Sequence, residues 1–271
     1  EKVNSIVIVG QAFAGPILET LDANPGKCDL SSVMQMGSSG VMWSQENKNG
    51  LLEHIPQMAI TDSFGSSEAV GMGASVAVKG AAPTTAKFQL GPNCVVFKED
   101  GTRVAPGSGE RGLVAVGGAI PLGYYKDEKK TAETFRQFEG RRWTVPGDWA
   151  EVNEDGTLTL LGRGSVCINT GGEKVFPEEV EECLKTHASV RDAVAVGIPD
   201  NRFGETICAV VEAEPGQTPD FEVLNAHVKS KLAAYKAPRN LVVVPTIGRA
   251  PNGKVDYKRL KQHAMDTLGV K

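Results

Sequence analysis

No apolar run in this chain approaches the roughly 18 to 20 residues that span a bilayer. No basic start leads into an apolar segment, so neither a membrane-spanning helix nor a secretion signal is read here. Long basic runs are absent too. With 29 Lys and Arg against 33 Asp and Glu the net charge is −4, and an acidic chain gains little from counterion release, so nucleic acid is not an expected partner. The five cysteines (Cys28, Cys94, Cys167, Cys183, Cys208) are scattered and show no C-x-x-C spacing, and His54, His187, His227 and His263 form no ligand cluster. That excludes a disulfide framework and a zinc site and fits a reducing, cytoplasmic location. Internal repeats are missing, and nothing indicates oligomerisation or peripheral membrane contact. What is present is an ordinary globular composition: 271 residues, 41% hydrophobic and 23% charged, enough for one large or two ordinary domains. The chain starts at Glu1 rather than Met, as a partial product would.

Strand-like Ser5–Gly10 is followed by a helix from Pro16 to Ala23, with Pro16 suited to a first turn. Ser32–Met36 then reads as a strand, Gly37–Gly40 as a small-residue loop, Gln45–His54 as a helix and Gln57–Ile60 as a strand. The turn-rich segment Thr61–Glu68 comes next. Strand, small-residue loop and helix in repetition form an α/β layer, which binds ligands beyond the carboxyl ends of its strands. From Ala86 to Leu161, short strands between Gly-rich turns predict a small, mostly antiparallel unit, with a helix over Asp127–Phe135 and a hairpin at Asp155-Gly156. Beyond Gly162 the pattern is mixed again: helices over Pro177–His187, Phe221–Leu232 and Tyr257–Leu268, strands over Ala193–Ile198, Ile207–Glu212 and Leu241–Val244. The expected fold class is α/β and α+β. A partial α/β layered sheet covers 1–85 and a small β-barrel-like unit 86–161; a smaller mixed α+β domain, 162–271, is expected to be mobile.

Locally, each motif has two readings. In Asp62-Ser-Phe-Gly-Ser-Ser-Glu68, hydroxyls and backbone N–H groups could face a phosphate, Glu68 could hold a magnesium ion and Phe64 could stack on a base; the same segment also reads as a solvated turn. Asp148 after Gly147 reads first as a turn and second as a ribose ligand. Gly171-Gly172 is either a hairpin turn or a close backbone approach. Lys254 either meets a phosphate or is solvated. Gly71-Met-Gly73 lacks the rest of a dinucleotide fingerprint and is set aside.

The order of these motifs resembles that of the adenylate-forming superfamily, which holds acyl-CoA synthetases, luciferase and peptide-synthetase adenylation domains. Ser63-Phe-Gly-Ser-Ser-Glu68 resembles its Y-G-x-T-E element. Gly118–Tyr125 with Thr131 resembles G-Y-x-x-x-x-x-x-T, and Trp143-Thr-Val-Pro-Gly-Asp148 resembles W-x-x-T-G-D. Gly162-Arg163 through Glu181 is similar to the hinge and glycine loop, most like actinobacterial fatty-acyl and steroid-acid CoA ligases. Gly197–Asp200 with Gly204-Glu205, and Pro251-Asn-Gly-Lys254, match the closing elements. The resemblance implies a carboxylic acid activated by ATP to an acyl-adenylate, then transferred to coenzyme A. It assigns adenine stacking to Phe64 and a nucleotide lining to Ser39, Gly40, Asp62 and Gly65. Ser67 would meet the α-phosphate, Glu68 Mg2+, Asp148 and Arg163 the ribose. Lys254 would bridge carboxylate and phosphate, Gly171 and Gly172 would form a slot for coenzyme A, and Ser165 would be the hinge.

Ser67 and Pro146 stand where the family has Thr, and Ser165 where it has Asp or Lys. The family's T-S-G-T-T-G-x-P-K phosphate loop is not found in these residues. The expectation is the C-terminal half of a longer enzyme, unable to make acyl-adenylate by itself. Two other readings remain: a domain that loads a carrier protein, although no carrier serine motif precedes Lys271, and a noncatalytic nucleotide-binding module.

Overall fold

A computed structural model describes residues 2–40, 45–81, 87–251 and 253–270, without the side chains of Gln11 and Ala12. Glu1, Ala86, Asn252 and Lys271, named above, lie outside the described residues. Contacts divide the chain into two compact units, Glu1–Leu160 with Pro251–Gly253, and Leu161–Ala250 with Lys254–Lys271.

The first unit opens with β1 (Ser5–Ile8), α1 (Gln11–Ala23), β2 (Gln35–Ser39), α2 (Gln45–His54) and β3 (Ala59–Phe64). The three strands pair in parallel, with Ile8 opposite Ser38 and Ser38 opposite Asp62. The crossovers run in one direction, so both helices lie on the same face. There Ile8, Met36 and Ile60 pack on Ala14, Leu51, Leu52 and Ile55. On the other face the row Val7, Gly37, Thr61, Val76 crosses β1, β2, β3 and β4 (Gly73–Ala77). Val7 is 81% and Val76 59% exposed. A parallel layer is ordinarily covered on both sides.

Two expectations are corrected here. Helix α1 begins at Gln11, so Pro16 sits inside it rather than in its first turn. The helix leaves β1 directly through Gly10 (φ 51°). Packing of Ala14, Ile17, Leu18 and Leu21 outweighs the one backbone bond that Pro16 cannot donate. The second strand is displaced from 32–36 to Gln35–Ser39, and Asp62–Phe64 belong to β3 rather than to a turn. Ladder bonds to both neighbours carry Gly37–Ser39, which composition alone reads as loop. The Ser38 hydroxyl also accepts the Gly10 N–H at 3.0 Å.

Antiparallel strands follow: β5 (Lys87–Leu90), β6 (Cys94–Phe97), β7 (Arg111–Val116), then α3 (Glu128–Thr134), β8 (Phe135–Phe138), β9 (Arg141–Thr144), β10 (Asp148–Val152) and β11 (Leu158–Arg163). The path β1-β2-β3-β4-β5-β11-β10-β7-β9-β8, with β6 on β7, joins them to the parallel layer; among the described strands no closed barrel forms. Strands β4 and β5 and the β8–β9 hairpin were not read from sequence. The hairpin buries Trp143 against Phe97, ring centroids 5.1 Å apart.

The second unit holds the hairpin β12 (Ile168–Thr170) and β13 (Glu173–Val175), then α4 (Pro177–Lys185), β14 (Val190–Asp200), β15 (Gly204–Ala213), α5 (Phe221–Lys231), β16 (Asn240–Val244) and α6 (Tyr257–Leu268). Its central strands are apolar on both faces, as continuous Val/Ile/Ala runs require. Ala193, Ala195, Ile207, Ala209 and Val211 pack on the α4–α5 side. Val194, Val196, Ile198, Cys208 and Val210 pack on the α6 side. Strand β14 stands at the sheet's edge.

Candidate active site

Parallel register sets the first part of the site. Because Ser39 pairs with Ser63 and Ile8 lies opposite Ser38, the segments Gly10, Ser39-Gly40 and Phe64-Gly65 all leave the same carboxyl edge of β1–β3. Open α/β sheets bind ligands at such an edge. Gly40 takes φ +90°, a turn that glycine adopts without strain. Asp62 is buried, and its carboxylate accepts a 3.0 Å hydrogen bond from the Lys48 ammonium, also buried, on α2. Phe64 lies edge-on to Phe88, centroids 4.9 Å apart, and over Gly73, where any Cβ would come within 2.4 Å of its ring. Its ring is thus anchored in the β unit on one side.

Beyond β3 the chain turns tightly: Ser66 N–H donates to the Ala69 carbonyl at 2.9 Å, and Ala69 N–H to the Ser66 hydroxyl at 3.1 Å. This turn leaves Ser67 exposed and Glu68 half-buried. The Tyr124 hydroxyl donates to the Glu68 carboxylate. That bond holds the Glu68 carboxyl below the usual carboxylate range against the opposing effect of burial, with nearby Lys130 adding to it. Lys130 rests 4.1 Å above the Tyr124 ring. Thr131 accepts the Tyr124 backbone N–H at 2.9 Å and donates to the Asp127 carbonyl at 2.7 Å. Two motifs distant in sequence, Ser66-Ser-Glu68 and Gly123-Tyr-x-x-x-x-x-x-Thr131, therefore meet in one cluster.

Asp148 begins β10, buried, directly after Gly147 (φ +102°). In the strand order β4, β5 and β11 separate it from β3.

In the second unit Arg163 is exposed at the end of β11, and its N–H donates to Glu178 at 3.4 Å. Gly162 before it has φ +126°, a conformation that favours glycine, and it packs beside the Glu178 carboxylate. Ser165 sits in a single 3-10 turn, Gly164–Val166. Gly171 (φ 60°) and Gly172 (φ 89°) form the exposed two-residue turn of the β12–β13 hairpin, both left-handed as a primed hairpin turn needs. Gly171 N–H donates to the Phe203 carbonyl at 2.9 Å. Lys254 is exposed, and its carbonyl accepts the Ala250 N–H at 2.9 Å, closing the loop ahead of α6.

Four participants were missed by reading motifs one at a time: Ser38, Lys48, Tyr124 and the buried Glu181. Tyr124 lay in a recognised motif, as the Tyr of its Gly-Tyr pair, and Glu181 closed the hinge and glycine-loop segment, but neither was singled out. Among the described residues no group of three or more His, Cys, Asp or Glu side chains encloses a metal. No helix of the described residues is long and apolar enough to cross a membrane.

Residues 179–254 match the AMP-binding enzyme C-terminal domain, a segment that ends on Lys254. The chain is 49% identical over 264 residues to a medium/long-chain fatty-acid–CoA/3-oxocholest-4-en-26-oate–CoA ligase of Mycolicibacterium smegmatis, covering 96% of this chain and 48% of that protein. It is 48% identical over 268 residues to a 3-oxocholest-4-en-26-oate–CoA ligase of Rhodococcus rhodochrous, with the same shares covered. The chain thus spans about half the length of the relatives it matches. Its fold superposes on the anthranilate CoA ligase AuaEII in complex with anthranoyl-AMP, with a TM-score of 0.81 at 22% identity over 99% of this chain and 51% of that one. The amide bond synthetase McbA from Marinactinospora thermotolerans gives 0.80 at 25%, over 97% and 52%.

Proposed function

This chain belongs to the adenylate-forming enzymes and carries their C-terminal domain, and from that premise we propose that the whole protein is an ATP-dependent acyl-CoA ligase for fatty or steroid side-chain acids. The likeness to ligases so named, over nearly the full length of the chain, is the observation that carries the reading. In the first step a carboxylate oxygen bonds to the α-phosphorus of ATP while the bond to the departing pyrophosphate breaks. In the second the thiol of coenzyme A attacks the acyl carbon, loses its proton and expels AMP.

Such transfers are driven by positioning and charge stabilisation, which the residues supply. The carboxyl edge of β1–β3 suits a nucleotide: Ser39, Gly40 and Gly65 offer backbone and hydroxyl groups, Asp62 sets the edge through its bond to Lys48, and Phe64 presents an aromatic face to adenine. Ser67, exposed on its turn, would donate to the α-phosphate. Glu68, its carboxyl held below the usual carboxylate range, would fit Mg2+ as a hard oxygen ligand. Asp148 and Arg163 would take the ribose hydroxyls. Lys254 would neutralise charge between the attacking carboxylate and the phosphate. A turn about Ser165 would bring the second unit round for the thioester step, where the Gly171-Gly172 turn offers bare backbone to coenzyme A. Five free thiols suit a cytoplasmic location.

The test is to incubate the whole protein with ATP, coenzyme A and a panel of fatty and steroid acids, detecting thioesters by mass. Lys254→Ala should lower adenylate formation about 100-fold or more, the scale of losing one preorganised charge-stabilising group. Wild-type rates in that variant, or no thioester from any acid, would overturn the assignment.

A further inference from the structure

Lys254 sits between β16 and α6, where the described residues of 245–256 have no regular secondary structure. The backbone that carries an exposed ammonium sets where its side chain can reach, so what holds that backbone matters. Both sides are held by carboxyl groups far away in sequence, one half-buried and one buried.

At the front, Arg249 grips Asp192 with a two-pronged bond, Nε to Oδ2 at 2.6 Å and Nη2 to Oδ1 at 2.8 Å. Asp192 is itself fixed by the Ala193 N–H at 2.8 Å. At the back, the Tyr257 hydroxyl donates to Glu181, 3.0 Å to Oε1 and 3.3 Å to Oε2. Glu181 projects from α4 and also accepts the Ala195 N–H at 3.1 Å, sealing the free edge of β14. Near the front of the stretch, the Ile247 N–H donates to Glu212 at 2.8 Å, and Arg259 donates to the Ile247 carbonyl.

Glu181 is 5% exposed, lodged among apolar residues of α4 and β14. Glu178 and Lys185 on its own helix and Arg249 and Tyr257 from the loop side bear on it electrically. A buried carboxylate is a poor way to stabilise a core, because desolvation offsets most of its attraction and apolar replacements serve as well. What such a network does supply is one defined geometry. It spans α4, β14 and the start of α6, and the loop it brackets carries the reaction's cation.

We infer that Glu181 and Asp192 are positioning residues for the Lys254 ammonium, acting through Tyr257 and Arg249 at the two ends of its loop. The inference rests on the role given to Lys254 above. Placement errors of about 1 Å at a reacting centre can cost about 100-fold, so a partly released loop should slow the chemistry while leaving nucleotide binding intact.

The experiment uses the whole protein with Tyr257→Phe, Asp192→Asn and Lys254→Ala, singly and paired. Each is followed by pyrophosphate exchange, by KM for ATP and by thioester formation from supplied acyl-adenylate. Tyr257→Phe and Asp192→Asn should each lower kcat of adenylation about tenfold, with KM for ATP and the thioester step changed less than about twofold. Added to Lys254→Ala they should cause no further loss, the signature of residues acting through one group. Tyr257→Phe keeps the ring and its packing, so a folded variant is available, and Arg249→Lys gives a second entry to the front clamp. A loss that persists undiminished beside Lys254→Ala, equal slowing of both steps, or unchanged kcat in folded Tyr257→Phe would each overturn the inference. If Lys254→Ala itself runs at the wild-type rate, the assignment of Lys254 fails and this inference falls with it, a result distinct from the others.

Discussion

Glu181 shows how a single buried group writes itself into the behaviour of the fold. Burial, with help from the neighbouring Glu178, pushes its carboxyl from 4.5 up to about 8. The folded unit therefore holds a proton that the unfolded chain releases. Its contribution is fully present below about 4.5 and is lost as pH rises through about 8. Chemical denaturation across that window should show wild-type stability falling with pH, and Glu181→Gln, which keeps the shape without the charge, should flatten the slope. A slope unchanged in the variant would place the titration elsewhere. Glu68 shifts in the opposite sense: the hydrogen bond from the Tyr124 phenol holds its carboxyl below the usual carboxylate range.

Helix α6 begins three residues after Lys254. Its N-cap is Asp256, whose carboxylate accepts the Arg259 N–H at 3.0 Å, and its end is closed by Gly269 in the left-handed conformation. Asp256→Ala should cost about 1 kcal/mol in unfolding measurements, the usual worth of a cap. A cost near zero would show that Tyr257 and Leu260 anchor the helix without it. Elements also mark where local reading stops. Helices α2 and α6 match their expected bounds, Gln45–His54 and Tyr257–Leu268; for α6 the Asp256 cap and the left-handed Gly269 mark the two ends. The strand over Gln35–Ser39 was misplaced because Gly37 and Ser38 have no strand preference of their own; their neighbours' backbone bonds impose it. The β8–β9 hairpin was invisible for a related reason: its turn residue Glu139 adopts φ 51° without being glycine.

For the molecule as a whole, the parallel layer has helices on one face and an open row, Val7 to Val76, on the other. Apolar groups in such a row favour association when nothing covers them. This chain alone should self-associate in sedimentation experiments, and Val7→Lys should shift it toward monomer; a monomeric wild-type chain would refute this.

From sequence alone came the motif order, with its resemblance to the adenylate-forming superfamily, and most helices; the helices rest on residue types at fixed spacing. Tertiary structure decided which of those residues meet. Glu68 and Tyr124 lie 56 residues apart, Arg249 and Asp192 57, and Tyr257 and Glu181 76. Such pairs depend on strand register and on how helices seat against a sheet. Those are set by the packing of the whole unit, and no local pattern encodes them.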